Sequence, residues 1–454
     1  MLSIAILVIL VVAIVFATAK LKINPFLALL AAALVGGFAF GLPVVEIAPI
    51  ITTAFGATLG NIGLIILFGT IIGVILERTG AAISMAEALI RVLGTRFPTL
   101  TMSVIGFIVS IPVFCDSGFV ILNSLKKSLA ARAKVSLVAM TIALMTGLYS
   151  THVFVPPTPG PLAAAGNLNI IDQLGLIIGL GLIVAAVSAL AGLLWANRFL
   201  KKDIELIPEL ASEESDLDSD YEAIRAAYGK LPNTFLAFLP ILAPILLICI
   251  ASIANLPARP FGESGLYAAI VFLGTPVIAL AVGLIAALFL LRGKGKLEMF
   301  GERVNEGIRI SAPILLITAS GAAFGAILAA SDLTDFLGNT LSTLGLGLAV
   351  PFLISAALKT AQGSSTVAMV TTSVLLLPLL PALGLDSDLG KVLSVLAIGA
   401  GAMVVSHAND SFFWVVSQLS RIPVATAYRT LTPATAIQGV AGFAAVWVIG
   451  LIVL

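Results

Sequence analysis

The chain contains only two histidines, His152 and His407, and each stands in a short polar run inside otherwise apolar sequence. An imidazole titrates near physiological pH, so each can serve a proton relay or stay a hydrogen-bonded interior group. Asp410 follows His407 closely in Ser406-His407-Ala408-Asn409-Asp410-Ser411, and Asp116 lies in Phe114-Cys115-Asp116-Ser117-Gly118-Phe119. On insertion scales an aspartate at mid-membrane costs about 2.5–3.5 kcal/mol, and a carboxylate kept there serves an ion or proton pathway. Asp116 is therefore the first candidate for a coupling proton, followed by His152, His407 and Asp410. Its position before Phe119 also suits a helix cap, and the two roles can coexist.

Two further runs complete the set. Ser150-Thr151-His152-Val153-Phe154-Val155-Pro156-Pro157-Thr158-Pro159-Gly160-Pro161 cannot continue a helix through its prolines, and no charged residue lies between Lys134 and Asp172 to make it a surface loop. It reads as unwound backbone lining a cavity. In Lys359-Thr360-Ala361-Gln362-Gly363-Ser364-Ser365-Thr366, a glycine permits close approach, and hydroxyls with free amides at a helix start make an anion site. The carboxylate of a ligand is expected on Gly363, Ser364, Ser365 and Thr366, with Ser117, Gly118, Thr158 and Asn409 lining the remainder. Lys359 either binds a carboxylate or snorkels to the outer surface, with snorkelling preferred.

These breaks have to be positioned by membrane helices. Of 454 residues 60% are hydrophobic and only 10% charged, at a mean hydropathy of +1.16, which excludes a water-soluble globular fold. A net charge of +1 gives no argument for nucleic-acid binding. The two cysteines, Cys115 and Cys249, suggest neither a disulfide framework nor a metal cluster, and no motif asks for a cofactor.

Apolar runs predict ten full spans, at 2–18, 25–42, 58–76, 135–151, 174–196, 233–254, 264–290, 308–330, 391–406 and 433–453. No basic leader precedes the first run, so it is expected to be a retained helix with its N-terminus outside. With that orientation 21 of the 24 basic residues are cytoplasmic, all but Arg259, Lys359 and Lys391. The segment 99–125 must then enter and leave on the cytoplasmic side, and 347–381 on the outer side.

One re-entrant hairpin from each face is the pattern of an inverted repeat. Gly69-Thr-Ile-Ile-Gly73-Val-Ile-Leu76 reads against Gly321-Ala-Ala-Phe-Gly325-Ala-Ile-Leu328, and His152 and His407 occupy matching places after them. The glycine pairs themselves read as close helix packing. The expected fold is thus an all-α polytopic membrane protein of two inverted repeats, each with about five spans and a re-entrant hairpin: 1–196 and 232–454. Between them, 197–231 carries nine of the 23 acidic residues and reads as a cytoplasmic linker with one short helix over 221–228.

The absence of a phosphate-binding G-x-x-x-x-G-K-[ST] loop argues against direct drive by ATP, and no hydrolase motif supports an enzyme. A channel needs a continuous polar lining, whereas here polar groups gather at two hairpin tips and two helix breaks.

At these breaks the sequence resembles the gluconate:proton symporter (gluconate permease) family, within the ion-transporter superfamily. The resemblance rests on FCDSGFVIL at 114–122, THVFVPPTPGPLAAAGNL at 151–168, GSSTVAMVTT at 363–372 and SHANDSFFW at 406–414. It implies proton-coupled uptake of small hydroxy-carboxylates, aldonates above all, across a bacterial inner membrane by a homodimer with scaffold and mobile parts. In the resemblance, Asp116 matches the hairpin carboxylate, His152 the Thr-His pair, Gly363 to Thr366 the outer-hairpin segment, and His407, Asn409 and Asp410 the Ser-His-x-Asn-Asp segment. Two departures stand out: the family's hairpin acid is commonly Glu, and a second His often replaces Thr158. Glycerate or serine therefore stay open as substrates. Sodium coupling through hairpin carbonyls, Ser364, Asn409 and Asp410 is the alternative to the proton.

Overall fold

In the computed structural model the described residues are 2–202, 204, 206, 207, 217–255, 260–262, 265–293, 295–331 and 347–454. All regular structure among them is helical: α1 Leu2–Ala19, α2 Pro25–Ala39, α3 Val44–Arg78, α4 Ala81–Leu93, α5 Pro98–Val109, α6 Cys115–Ala133, α7 Leu137–Phe154, α8 Pro159–Asn167 and α9 Leu174–Asn197 make up the first half. A linker helix α10, Leu217–Ala227, precedes α11 Thr234–Ala254, α12 Gly265–Gly274, α13 Pro276–Leu288, α14 Lys296–Ala329, α15 Ala349–Gln362, α16 Ser365–Leu376, α17 Asp388–Met403, α18 Ser411–Leu419 and α19 Val424–Val453.

Helix starts follow local chemistry. Asn24 and Asn233 accept hydrogen bonds from the amides of Phe26 and Phe235, and Pro25, Pro98 and Pro159 sit in first turns, where no intrahelical N–H is required. Among the described residues six helical stretches are long and apolar enough to cross a membrane, one of them the α7–α8 pair, and α12 with α13 makes a seventh span bent by 70°. The expected span 264–290 is therefore not straight: Thr275–Pro276 breaks it. Three expected spans run on further than their apolar cores, because α3, α14 and α19 begin at Val44, Lys296 and Val424. The expected span 391–406 corresponds to α17 of 16 residues, about 24 Å long, which unwinds before it could cross a ~30 Å hydrocarbon layer.

Two helix-turn-helix hairpins are formed by α5 with α6 and by α15 with α16. Their first arms, α5 with 12 residues and α15 with 14, are too short to span. Hairpin 1 continues to Ala133, and its turn is 110–114, so Asp116, Ser117 and Gly118 lie in the first turn of α6 and not at the apex itself. Each hairpin is followed by a broken pair, α7–α8 and α17–α18, and then by a long helix, α9 or α19. The packing repeats as well. A Cβ on Gly147 of α7 would meet the Ser103 carbonyl of α5 at 2.1 Å, and one on Gly401 of α17 would meet the Phe352 carbonyl of α15 at 2.3 Å.

The helices sort into two bundles. One gathers α1–α3 and α11–α14, with α3 lying along α14; the other gathers the hairpins, the broken helices, α9 and α19. They meet where α3 touches α8 and α14 touches α16. The glycines expected only to pack helices do so against the breaks: Gly69 lies under the Pro157 carbonyl and Gly73 under that of Pro112. A Cβ at those positions would stand 3.2 and 2.5 Å from the two oxygens.

The linker is anchored on both sides of its acidic run. Ile207 donates its amide to the Arg421 carbonyl at 2.8 Å, and Tyr221 of α10 donates to Glu87 at 2.9 Å beside Arg225, whose Nε lies 2.8 Å from the same oxygen. Burial and the Glu87 charge push the Tyr221 phenol up, keeping it a donor. The helix expected over 221–228 starts earlier, at Leu217, and the first half of the acidic run Glu213 to Asp220 lies outside the described residues.

Candidate functional site

Four helices start at the breaks: α6, α8, α16 and α18. The first amides of each have no intrahelical partner and carry the positive end of the helix dipole. Ser364 caps α16 by accepting from the Val367 amide at 3.3 Å, and Asp410 caps α18 by accepting from Phe412 at 3.0 Å. The starts of α6 and α8, behind Phe114 and Thr158, receive no side-chain cap. Pro159 and Pro161 leave α8 short of N–H groups, so the open amides are those of Cys115 to Ser117 and of Ser365 and Thr366.

Hairpin 2 is held to the α17–α18 break by backbone and charge together. Gly363 ends α15 at φ +83°, and a Cβ there would lie 2.1 Å from the Asn409 carbonyl oxygen. Lys359 does not snorkel: it is 1% exposed, with Nζ 2.6 Å from Asp410 Oδ2 and 2.7 Å from the Gly363 carbonyl. The same Asp410 oxygen takes a short hydrogen bond from Ser406 Oγ. A buried ammonium is tolerated only when paired and hydrogen-bonded, and Asp410 supplies both. On the neighbouring face, the Thr360 carbonyl accepts from Asn409 Nδ2 at 2.8 Å and is 2.9 Å from His407 Nε2.

Hairpin 1 presents the opposite situation. Asp116 does not cap α6, since Phe114 holds that position, and its Oδ1 is buried without a hydrogen-bond partner. It lies within electrostatic reach of Asp410 and Lys359, as does His152, whose Nδ1 is also buried and unpartnered and whose ring stands 6.0 Å from that of Phe114. Ser117 faces the Glu77 carboxylate at the end of α3. Gly118 donates its amide to Phe114 and packs against Leu148.

The structure therefore brings Asp116, His152 and Asp410 into one electrostatic neighbourhood, with Gly363 and Asn409 in direct backbone contact. Asn409 keeps its Oδ1 unpartnered. Thr158 is turned inward, its hydroxyl spent on the Val155 carbonyl at 2.6 Å. Among the described residues no group of three or more His, Cys, Asp or Glu side chains is placed to hold a metal.

Several contributors have weak sequence signals. Lys126 of α6 is 0% exposed, 2.6 Å from Ser420 Oγ and 4.6 Å from the Phe119 ring centre, and among the described residues no carboxylate pairs with it. Its neighbour Lys127 is chemically identical, so the sequence cannot say which faces inward. Glu77 resembles any charge ending an apolar run. Gln438 of α19 is fully buried and donates to the Thr146 carbonyl at 2.9 Å and Ser150 Oγ at 2.8 Å; a glutamine inside a 30-residue apolar helix was the readable sign.

Paired breaks, two helix starts without a side-chain cap and the buried Lys359–Asp410 pair are thus gathered by the hairpins and the broken helices. The protein's backbone resembles the MtrF efflux pump of Neisseria gonorrhoeae, with a TM-score of 0.68 at 16% identity over 95% of this chain and 96% of that one. The gluconate permease of Pseudomonas aeruginosa is 31% identical over 95% of this chain and 94% of its own length. The D-serine transporter DsdX of Escherichia coli K12 is 32% identical over 98% and 97%. A family model described as GntP family permease matches residues 2–452. The chain is a multi-pass membrane permease, not an enzyme, and belongs to the GntP family.

Proposed function

We propose that this permease takes up gluconate or a related small hydroxy-carboxylate across a bacterial inner membrane, driven by protons, and that Asp116 carries the coupling proton. The carboxylate rests on the amides of Ser365 and Thr366 at the start of α16. Unpartnered Asn409 Oδ1 accepts from a substrate hydroxyl. Gluconate and D-serine, named for two relatives, share a carboxylate with a polar group on the adjacent carbon. A seat built for that unit serves either.

The observation that carries the coupling is the contrast between the two aspartates. Asp410 is already neutralised by Lys359, whereas Asp116 has a buried oxygen with no partner. An anionic substrate entering beside ionised Asp116 meets a like charge in a low-dielectric site; protonation removes the repulsion, and each event favours the other. The two halves, 1–196 and 232–454, act as inverted repeats whose hairpins open to opposite faces, with the N-terminus outside. The bundle of hairpins and broken helices is the mobile part, and the bundle around α3 and α14 the scaffold.

The test is uptake of labelled gluconate into sodium-free proteoliposomes under an inward proton gradient. Asp116→Asn is expected to abolish accumulation above the external concentration while substrate exchange at equal pH continues. Full pH-driven accumulation by the variant would remove Asp116 from the role, and uptake that requires sodium would replace the proton.

A further inference from the structure

A threonine inside a helix commonly donates its hydroxyl to the carbonyl four residues back, as Thr430 of α19 does to Thr426 at 2.8 Å. Two other threonines of α19 depart from that habit where the helix passes the α17–α18 break. Thr432 donates across to the Ser406 carbonyl at 2.7 Å. Thr435 gives its proton to the Thr432 carbonyl at 2.9 Å and accepts the Ser406 amide at 3.0 Å. Both backbone groups of Ser406 are thus held by one turn of α19. Thr435 and Ser406 are 0% and 3% exposed, so these partners are shielded from bulk water.

The break needs such partners. α17 ends at Met403, and Val405 lies in left-handed backbone at φ +55°, which a β-branched residue keeps only where its surroundings fix it. Unwound backbone in apolar sequence has no intrahelical partner for its N–H and C=O groups. The register of α19 is set one turn further on, where a Cβ on Gly439 would stand 2.7 Å from the Ala400 carbonyl of α17. The Ser406 side chain in turn donates to Asp410, the aspartate paired with Lys359 of hairpin 2. A chain of hydrogen bonds therefore runs from α19 through the Ser406 peptide and hydroxyl to the Asp410 carboxylate.

We propose that Thr432 and Thr435 are positioning residues for the substrate site: by holding the Ser406 peptide they set where Asp410 meets Lys359 and where Asn409 faces the ligand. This rests on the reading above that the break lies beside the substrate. Loss of either hydroxyl leaves a buried backbone group of Ser406 without its partner, and the break turns to find another. The seat is then displaced whenever substrate is bound, so the signature is a raised KM with Vmax kept.

The experiment measures gluconate uptake into proteoliposomes as a function of concentration. Absence of wild-type uptake, or an unchanged KM in Asn409→Ala, would overturn the reading on which the proposal rests. Given a response at Asn409, Thr432→Val and Thr435→Val keep the side-chain shape without the hydroxyl, and each is expected to raise KM about tenfold with Vmax within about twofold. Thr432→Ser and Thr435→Ser are expected to return KM toward that of the wild type. Adding Thr435→Val to Ser406→Ala is expected to raise KM by less than the product of the separate rises, because both act along one chain. If Thr435→Val does not fold, Thr432→Val, at a half-buried position, carries both comparisons. Unchanged KM in the valine variants, a fall in Vmax alone, serine variants as impaired as the valines, or full multiplication of the paired effects would mean that the threonines only pack α19; any of these overturns the proposal.

Discussion

Two lysines of the same burial meet opposite fates in the two hairpins. Lys359 of hairpin 2 is locked to Asp410 and to the Gly363 carbonyl, whereas Lys126 of hairpin 1 has a serine hydroxyl and an aromatic ring but no carboxylate among the described residues. The carboxylates divide the same way, Asp410 neutralised and Asp116 not. The buried charges of hairpin 2 are paired with the break that follows it, whereas those of hairpin 1 have no ion-pair partner among the described residues. A nearly symmetric succession of helices is thereby given asymmetric chemistry.

The largest expected effect breaks the paired side. Lys359→Met leaves Asp410 buried without its cation, which costs about 3–5 kcal/mol, and uptake should vanish with a sharply lower Tm in detergent. Lys359→Met combined with Asp410→Asn removes both charges and should recover most of the Tm. If the double variant is no more stable than the single, the pair is not what stabilises hairpin 2.

Next in size is Gly363→Ala. It places a side chain in left-handed backbone and against the Asn409 carbonyl, a strain of about 1–3 kcal/mol, and should lower uptake at least tenfold. Gly118→Ala in hairpin 1 meets only the end of the Leu148 side chain, which can turn aside, so its loss should be smaller. Measured side by side, equal losses would show that the hairpins do not differ in backbone tolerance.

The smallest effect is expected at Lys126. Removing an uncompensated buried ammonium is neutral or stabilising, so Lys126→Met should hold or raise the Tm where Lys359→Met lowers it. A fall as large as that of Lys359→Met would reveal a counter-charge and erase the contrast.

Much of this architecture was legible because lipid leaves the backbone few options. Dense runs of proline, glycine and polar residues inside apolar sequence favour breaks, and helices break within or beside all four runs, whereas the isolated Pro49, Pro240, Pro244, Pro313 and Pro433 stay inside helices. What the sequence withheld was direction. Whether Lys359 turns outward or toward Asp410 depends on a partner 51 positions away, and whether Lys126 or Lys127 is buried depends on a helix rotation that apolar patterning cannot define in a segment buried on several sides. Thr158 looked available as a ligand and is instead turned onto its own backbone, a competition open to any hydroxyl near an unwound carbonyl. Span lengths were missed for a related reason, since a stretch that includes Glu46 and Pro49 still lets α3 begin well before its most apolar part.

The Thr360 carbonyl has a use beyond fastening the hairpin. Two side chains of the α17–α18 break, Asn409 and His407, converge on this one oxygen, which fixes the imidazole tautomer with its proton on Nε2. A carbonyl drawn on by two donors stretches at a lower frequency than its neighbours, so a carbon-13 label at Thr360 is a built-in vibrational gauge. Its infrared band would move whenever the hairpin and the break part company, letting the position of one peptide bond be followed while the protein works.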